Sequence, residues 1–310
     1  MDVIRYPVDA RPAGWRSPVL ALGNFDGLHL GHMSIVRRVV ARARELDSSP
    51  VLLTFDPHPT RVTRPDRTPR LLMTTAQKID AVAGSGLAGM VIVEFTNAFS
   101  HWEPGHFVER VLVTWLGISE VFVGGNFLFG RDRSGDFRTL QALGTQHGFA
   151  ATKVDAVVAG GLPVSSTRIR DLVSAGLVGE AAPLLGRHFA IDGRVVRGDG
   201  RGRALGFPTA NLETDNELLP RRGVYVTRAA VDGHVYPSVT NIGVHPTVGA
   251  ASGDLVEVHL LEGGRDLYGA AVRLAFVDRV RDERVFPSID ALRAQIADDC
   301  AAALARLSIA

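Results

Sequence analysis

Apolar and polar positions change their rhythm about halfway along the chain. In the first half, short apolar runs at Val19–Phe25, Val51–Phe55, Met90–Phe95, Glu120–Gly124 and Thr152–Val158 are compact and rich in β-branched or aromatic residues. Such runs predict buried strands. Helix-like stretches at His32–Leu46, Thr75–Ala83, Pro104–Leu116 and Asp136–His147 separate them. Strand–helix alternation predicts an α/β unit with a parallel sheet, helices on both faces and ligands at the carboxyl ends of the strands.

Later strands follow one another without helices between them: Phe189–Arg197, Gly223–Val231, His234–Ile242, Leu255–Leu261 and Ala270–Val280, punctuated by Asp232-Gly233 and Gly263-Gly264. That pattern predicts an antiparallel barrel or sandwich. A serine-capped amphipathic helix over Ser288–Leu307 would pack on it. Two short helices near Ser166–Ala175 and Gly179–Leu185 connect the halves, and the domains are expected to be 1–185 and 186–310. A chain of 310 residues favours two cores over one.

Composition narrows the function classes. The formal net charge of +1 gives no basic face for nucleic acid, and the arginines cluster locally, as at Arg201 and Arg203 or Arg221 and Arg222. A single cysteine, Cys300, excludes an intrachain disulfide and a cysteine metal cluster, and its alanine-rich setting predicts a packed side chain. Asp2, Arg5, Asp9 and Arg11 interrupt the start of the chain, which does not read as a secretory signal, and no apolar run approaches the roughly 20 residues of a membrane span. A soluble cytoplasmic protein that binds small molecules is expected, with no nucleic-acid or membrane partner; composition does not set its oligomeric state.

Two segments concentrate chemistry. GNFDGLHLGH at 23–32 follows the first strand and opens the first helix. Gly23 and Gly27 allow a tight turn and close approach to a ligand, and the free N–H groups at the helix start favour an anion. His29 and His32, three residues apart, can share one side and stabilise charge on a transferring phosphoryl group. No GKS or GKT follows, so this is not a Walker A loop. In the second half, GDGRGRALGFPTAN at 198–211 offers Gly198, Gly200 and Gly202 with neighbouring arginines as a phosphate cradle. The Thr209 hydroxyl and Asn211 carbonyl are hard oxygen donors of the kind magnesium takes.

His29-Leu30-Gly31-His32 resembles the HxGH signature of the nucleotidylyltransferase superfamily. The resemblance assigns Gly23, Asn24, Phe25, Asp26 and Gly27 to the ATP phosphates, beside His29 and His32. VSSTRIR at 164–170 resembles the superfamily's second motif, which would give Ser166, Thr167 and Arg170 to the β- and γ-phosphates. TFDPHP at 54–59 and VGGNFLFG at 123–130 are similar to the flavin-handling segments of prokaryotic bifunctional riboflavin kinase/FAD synthetases. They nominate His58, Asn126 and Phe129, the last either stacking on isoalloxazine or filling core. Asn126 and Leu128 depart from the DFRFG form of many members.

Pro208-Thr209-Ala210-Asn211 resembles the PTAN motif of the riboflavin kinase module, and LPRRGVY, NIGVHPT and VEVHLLEGGRDLYG follow in that module's order. The resemblance implies a six-stranded barrel, Thr209 and Asn211 as magnesium ligands and Glu257 as general base. The activity it implies is phosphorylation of riboflavin to FMN, then adenylylation of FMN to FAD, with ATP and Mg2+ in both steps. A kinase whose first module only binds flavin, and a flavin or nucleotide sensor without turnover, are the alternatives.

Overall fold

The computed structural model describes residues 1–198, 202, 205–244, 254–262 and 267–308. The chain divides into two compact units, Met1–Arg70 with Thr74–Ser165 and Leu71–Met73 with Ser166–Ala310.

The first unit carries one parallel sheet of β1 (Asp2–Tyr6), β2 (Val19–Leu22), β3 (Pro50–Asp56), β4 (Gly89–Glu94), β5 (Glu120–Gly124) and β6 (Ala150–Val154), in the order β1-β4-β3-β2-β5-β6. Its helices are α1 (Leu30–Glu45), α2 (Pro59–Thr63), α3 (Thr75–Ala83), α4 (Asn97–Ser100), α5 (Pro104–Phe107), which runs on as a π-helix over Val108–Leu116, and α6 (Phe137–His147). A small hairpin of β7 (Val158–Ala159) and β8 (Leu162–Pro163) follows. All four residues of β2 are buried, because a central parallel strand has helices on both faces. Leu20, Leu22, Val51, Leu53, Val91, Val121 and Val123 form a core with Phe107, Leu112 and Leu116. Caps fix the helix starts: Thr74 and Gln77 form a capping box on α3, and the Asp136 carboxylate accepts from the Thr139 N–H at 2.9 Å.

The sequence pattern does not reveal β1. Only Ile4 of that strand is buried, as befits a short charged edge strand, and it pairs with β4. Two expected strands also change their bounds. The first stops at Leu22 and does not run to Phe25, which takes a left-handed φ of 49°, and the last lies at Ala150–Val154 rather than 152–158.

The second unit begins with α7 (Ser166–Ser174) and α8 (Val178–Leu185). The strands β9 (Phe189–Val196), β10 (Ala210–Thr214), β11 (Gly223–Val231), β12 (His234–Val244), β13 (Asp254–Leu260) and β14 (Ala271–Arg281) close into an antiparallel barrel, ordered β10-β13-β12-β11-β14-β9. A barrel, not a sandwich, is therefore the solution. The sixth strand is β10, which holds Asn211 where the sequence pattern reads a turn. Its five residues, Ala-Asn-Leu-Glu-Thr, have little strand propensity, and pairing to β9 and β13 imposes the extended form.

Alternation along the strands sorts residues between two faces. Thr227, Ser238 and Thr240 are fully buried and satisfy one another, with Oγ–Oγ distances of 2.8 Å from Thr227 to each partner. Val224, Val226, Val239 and Val277 pack with Ala303 of α9 (Ile289–Leu307), which is capped by the Ser288 hydroxyl. Cys300, half-buried on α9, has its thiol pushed up to about 11 by burial and by Asp299, so it is a packed side chain and not a nucleophile.

Candidate active sites

In the first unit, β2 lies between β3 and β5, so the chain order reverses at β2 and β5. Open parallel sheets leave a crevice at such a point, outside the carboxyl ends of the strands. The turn 23–27 leaves β2 there, the TFDPHP segment leaves β3, and the 125–130 segment leaves β5. Three separately nominated segments thus come to one sheet edge.

The turn is built on strain as well as on glycine. Gly27 has φ 84°, but Phe25 and Leu28 are also left-handed, at 49° and 39°, and both are buried. Non-glycine residues hold that region only when packing compels it. Gly23 does not share this strain: its φ is not left-handed, and an added Cβ would meet the Phe25 ring at an ordinary contact distance of 3.4 Å.

His29 is the N-cap of α1, its Nδ1 accepting from the His32 N–H at 3.3 Å. The two rings stack with centroids 3.7 Å apart and planes 16° apart, and Phe25 meets His32 edge-on at 5.2 Å. Gly31 sits against this pair: a Cβ there would approach His29 ring atoms at 3.1 and 3.2 Å. Burial first, then His29 and the Lys78 ammonium, hold His32 well below the usual imidazole value of 6.5. The His32 Nδ1 is buried without a hydrogen-bond partner. At rest His32 is therefore neutral, not the cation that charge stabilisation would suggest; an anion beside it would favour protonation.

His58, the N-cap of α2, has its Nε2 3.2 Å from the Asn24 Nδ2, so the flavin candidate touches the phosphate candidate. Asn126 is exposed. Phe129 is half-buried, stacks on Phe127 with centroids 5.2 Å apart, and bonds Gly135 through its backbone in both directions at 2.9 Å. Beside it Asn126 and Leu128 line a cavity of about 620 Å³ with Arg133, Arg138 and Lys153. Ser166, Thr167 and Arg170 lie in the first turns of α7, within the second unit, with Thr167 exposed and Ile169 anchoring the helix.

The second unit holds a cavity of about 920 Å³ whose lining includes Gly198, Thr209, Asn211, Asn241, Glu257 and Glu283. Glu257 on β13 is registered against Asn211 on β10 and Asn241 on β12. Directly opposed residues share a face at roughly 5 Å between Cβ atoms, so two carboxamides flank one carboxylate. Val256 and Val258 are buried on the opposite face, which commits Glu257 and His259 to the cavity.

The glycines have a steric reason beyond a phosphate cradle. A Cβ at Gly198 would fall 1.8 Å from the Asn211 Nδ2, and one at Gly202 would fall 2.8 Å from the Thr209 Oγ1. They leave room for the two oxygen donors. Gly200 lies outside the described residues. In the cavity lining Arg281 and the buried Asp299 form a bidentate pair, with Nη2–Oδ2 at 2.7 Å and Nε–Oδ1 at 3.0 Å, and Gln295 adds a bond to Asp299 at 2.9 Å. Among the described residues no cluster of three His, Cys, Asp or Glu could hold a metal by itself, and no helix is long and apolar enough to cross a membrane.

A family model described as FAD synthetase matches residues 12–168, and one described as riboflavin kinase matches residues 185–307. A bifunctional riboflavin kinase/FMN adenylyltransferase of Pseudomonas fluorescens is 38% identical over 98% of this chain and 97% of its own length. The chain belongs to the bifunctional riboflavin kinase/FMN adenylyltransferase family.

A relative of the same description from Bacillus subtilis is 34% identical over 91% of this chain and 90% of its own length. A solved structure from Streptococcus pneumoniae, described as a macrolide-efflux protein, matches with a TM-score of 0.87 at 27% identity over 96% of this chain and 97% of that one. Family membership accounts for two different ligand edges in one chain. It does not draw attention to Lys78, Asn241 or the Arg281–Asp299 pair. Each of these enters a site from an element distant in sequence. Lys78 is buried on α3 beside Gln77 and Val82, and burial of a lysine is not visible in a sequence.

Proposed function

We propose that the two activities of this family occupy the two modules separately: FMN adenylylation in 1–185, and riboflavin phosphorylation in 186–310. The protein is a riboflavin kinase and FMN adenylyltransferase, converting riboflavin to FMN and FMN to FAD. What carries the residue-level reading is the register that sets Glu257 between Asn211 and Asn241 on a cavity wall.

In the kinase module Glu257 accepts the proton of the riboflavin 5′-hydroxyl as that oxygen attacks the γ-phosphate of ATP. Phosphoryl transfer depends mainly on positioning and charge neutralisation, so a single base beside an ordered nucleotide suffices. Asn211 and Asn241 orient the carboxylate from either side. The glycines 198 and 202 keep the Asn211 and Thr209 side chains free to face the nucleotide. The Thr209 hydroxyl and Asn211 carbonyl suit Mg2+, whose remaining ligands would be water and phosphate; when bound it neutralises charge on the phosphates.

In the adenylyltransferase module the FMN phosphate is already ionised and needs no strong base to attack the α-phosphate of ATP. The turn 23–27 and the N-terminus of α1 receive phosphate, and the stacked His29 and His32 donate hydrogen bonds to the transferring group. Ser166, Thr167 and Arg170 belong to the β- and γ-phosphates in the same reading, and His58, Asn126 and Phe129 to the flavin. ATP, riboflavin, FMN and FAD are all small molecules, and the reading puts the protein in the cytoplasm.

Incubation with riboflavin, ATP and Mg2+, with FMN and FAD followed by chromatography, tests the whole reading. FMN should appear first and FAD after it. FMN alone would leave the kinase only, and neither product would overturn both assignments. Chelation with EDTA should stop both steps and added Mg2+ should restore them; turnover that persists in EDTA would remove the metal from the account.

A further inference from the structure

Lysine is almost never fully buried without a partner, because desolvating an ammonium is costly. Lys78 of α3 is 8% exposed. Its Nζ donates to the Asn24 carbonyl at 2.8 Å and to the Thr54 Oγ1 at 3.2 Å. The Thr54 hydroxyl, on β3 and itself buried, donates to the same Asn24 carbonyl at 2.9 Å. One backbone oxygen in the middle of the turn 23–27 thus receives hydrogen bonds from two buried side chains, one of them charge-assisted. The Gly23 N–H adds a third tie, to the Leu53 carbonyl at 3.2 Å.

These bonds hold a segment that needs holding, with Phe25 and Leu28 in left-handed conformations. The counter-charges are the nearby Asp26 and Asp56, while burial pulls the Lys78 pKa down. A structural strut could be neutral. Lys78 instead keeps an ammonium close enough to His32 to help suppress its protonation.

We propose that Lys78 is a positioning residue for adenylyl transfer, fixing the Asn24 carbonyl and hence the 23–27 turn against β3 so that the nucleotide phosphates meet His29 and His32 in one geometry. The proposal rests on the reading of that turn as the phosphate site. Small displacements of such a turn are expensive, since a misplacement of about 1 Å can cost about a hundredfold in rate.

The test uses the full chain and measures both activities in each variant. Lys78→Met should lower kcat/KM for FMN adenylylation by about tenfold to a hundredfold, with kcat falling more than the KM for ATP rises. Riboflavin phosphorylation in the same preparation should stay within about twofold of wild type. Lys78→Arg, which keeps a charged donor, should recover part of the loss.

The pH profile supplies a readout that a scaffold role would not move. His32 is faced by His29, Lys78 and the Phe25 ring, and Asp26 and Asp56 lie around the ammonium. Removing the cation lets His32 protonate more readily, so the limb of the adenylylation profile that His32 sets should move to higher pH in Lys78→Met and stay in place in Lys78→Arg.

Adenylylation within about twofold of wild type in Lys78→Met overturns the proposal. So does an equal loss in the Met and Arg variants with an unmoved pH profile. If Lys78→Met loses both activities and its circular dichroism, Thr54→Val decides: a native spectrum with at least about threefold slower adenylylation supports the proposal, and an unchanged rate rejects it. His29→Ala and His32→Ala separate the two levels. If they leave adenylylation intact, the site reading itself fails; if they abolish it while Lys78→Met is silent, the failure is that of Lys78 alone.

Discussion

The two units carry their candidate sites on opposite constructions. The first places its groups on chain that has just left a strand: a turn with Phe25, Gly27 and Leu28 at positive φ, a histidine cap and a buried lysine brace. The second places Glu257, Asn211 and Asn241 within strands, where closure of the barrel fixes their spacing. A turn can bring backbone N–H groups close to phosphate but has to be held in place. A barrel wall holds side chains rigidly but offers few free N–H groups. Hence the brace in one unit, and in the other glycines that make room for Thr209 and Asn211.

Breaking either construction should leave the other working. The largest effect is expected at Glu257: replacement by Ala should slow riboflavin phosphorylation by roughly 10²–10⁴-fold, the range for a general base, with FMN still converted to FAD. Next is the ion pair in the wall of that site. Asp299→Ala takes the carboxylate from the part-buried Arg281, which keeps its bond to the Asp282 carbonyl, and should destabilise the barrel by about 1–3 kcal/mol, read as a lower denaturation midpoint for the unit that holds this cavity. His32→Ala should cost adenylylation about a hundredfold, near 2.7 kcal/mol in barrier, without slowing the kinase. Asn241→Ala, which removes one of the two carboxamides flanking Glu257, should cost the kinase about tenfold, and Asn241→Asp should cost more because a second carboxylate then opposes the first.

The smallest effect sharpens the comparison through pH. His32 is depressed in the fold relative to its unfolded value of 6.5, so the unfolded chain binds the proton more readily. Stability rises with pH wherever the unfolded state holds more protons. The contribution of the neutral His32 is therefore full above pH 6.5 and is lost as the pH falls below it. His188 of the second unit is lowered as well, by burial and by Arg228, so acid should draw on the stability of both units, and His32→Phe should remove this contribution from the first in a denaturation series.

The fold class was largely legible because both periodicities are strong: compact β-branched runs between helices in one half, and consecutive strands in the other. The exceptions have physical causes. β1 is an edge strand with one buried residue, and β10 is extended because its neighbours pair with it, not because Ala-Asn-Leu-Glu-Thr prefers to be. Contiguity decided which candidate residues a sequence could nominate. His29, His32 and Gly27 stand in one stretch, and Thr209 and Asn211 in another. Asn241 and Lys78 reach their sites only through register and through the packing of α3, neither of which a single sequence displays. The neutral state of His32 was equally hidden, since it follows from burial and from neighbouring charge.

The central claim is that two independent sites act in sequence within one chain, and mixing two variants tests it most directly. Glu257→Gln and His32→Ala proteins are each incubated with riboflavin, ATP and Mg2+, alone and together. Alone, the first should leave riboflavin unchanged and the second should stop at FMN. Together they should produce FAD, because FMN released by one is adenylylated by the other. FAD formed by either variant alone at a wild-type rate, or none formed by the mixture, would contradict the account.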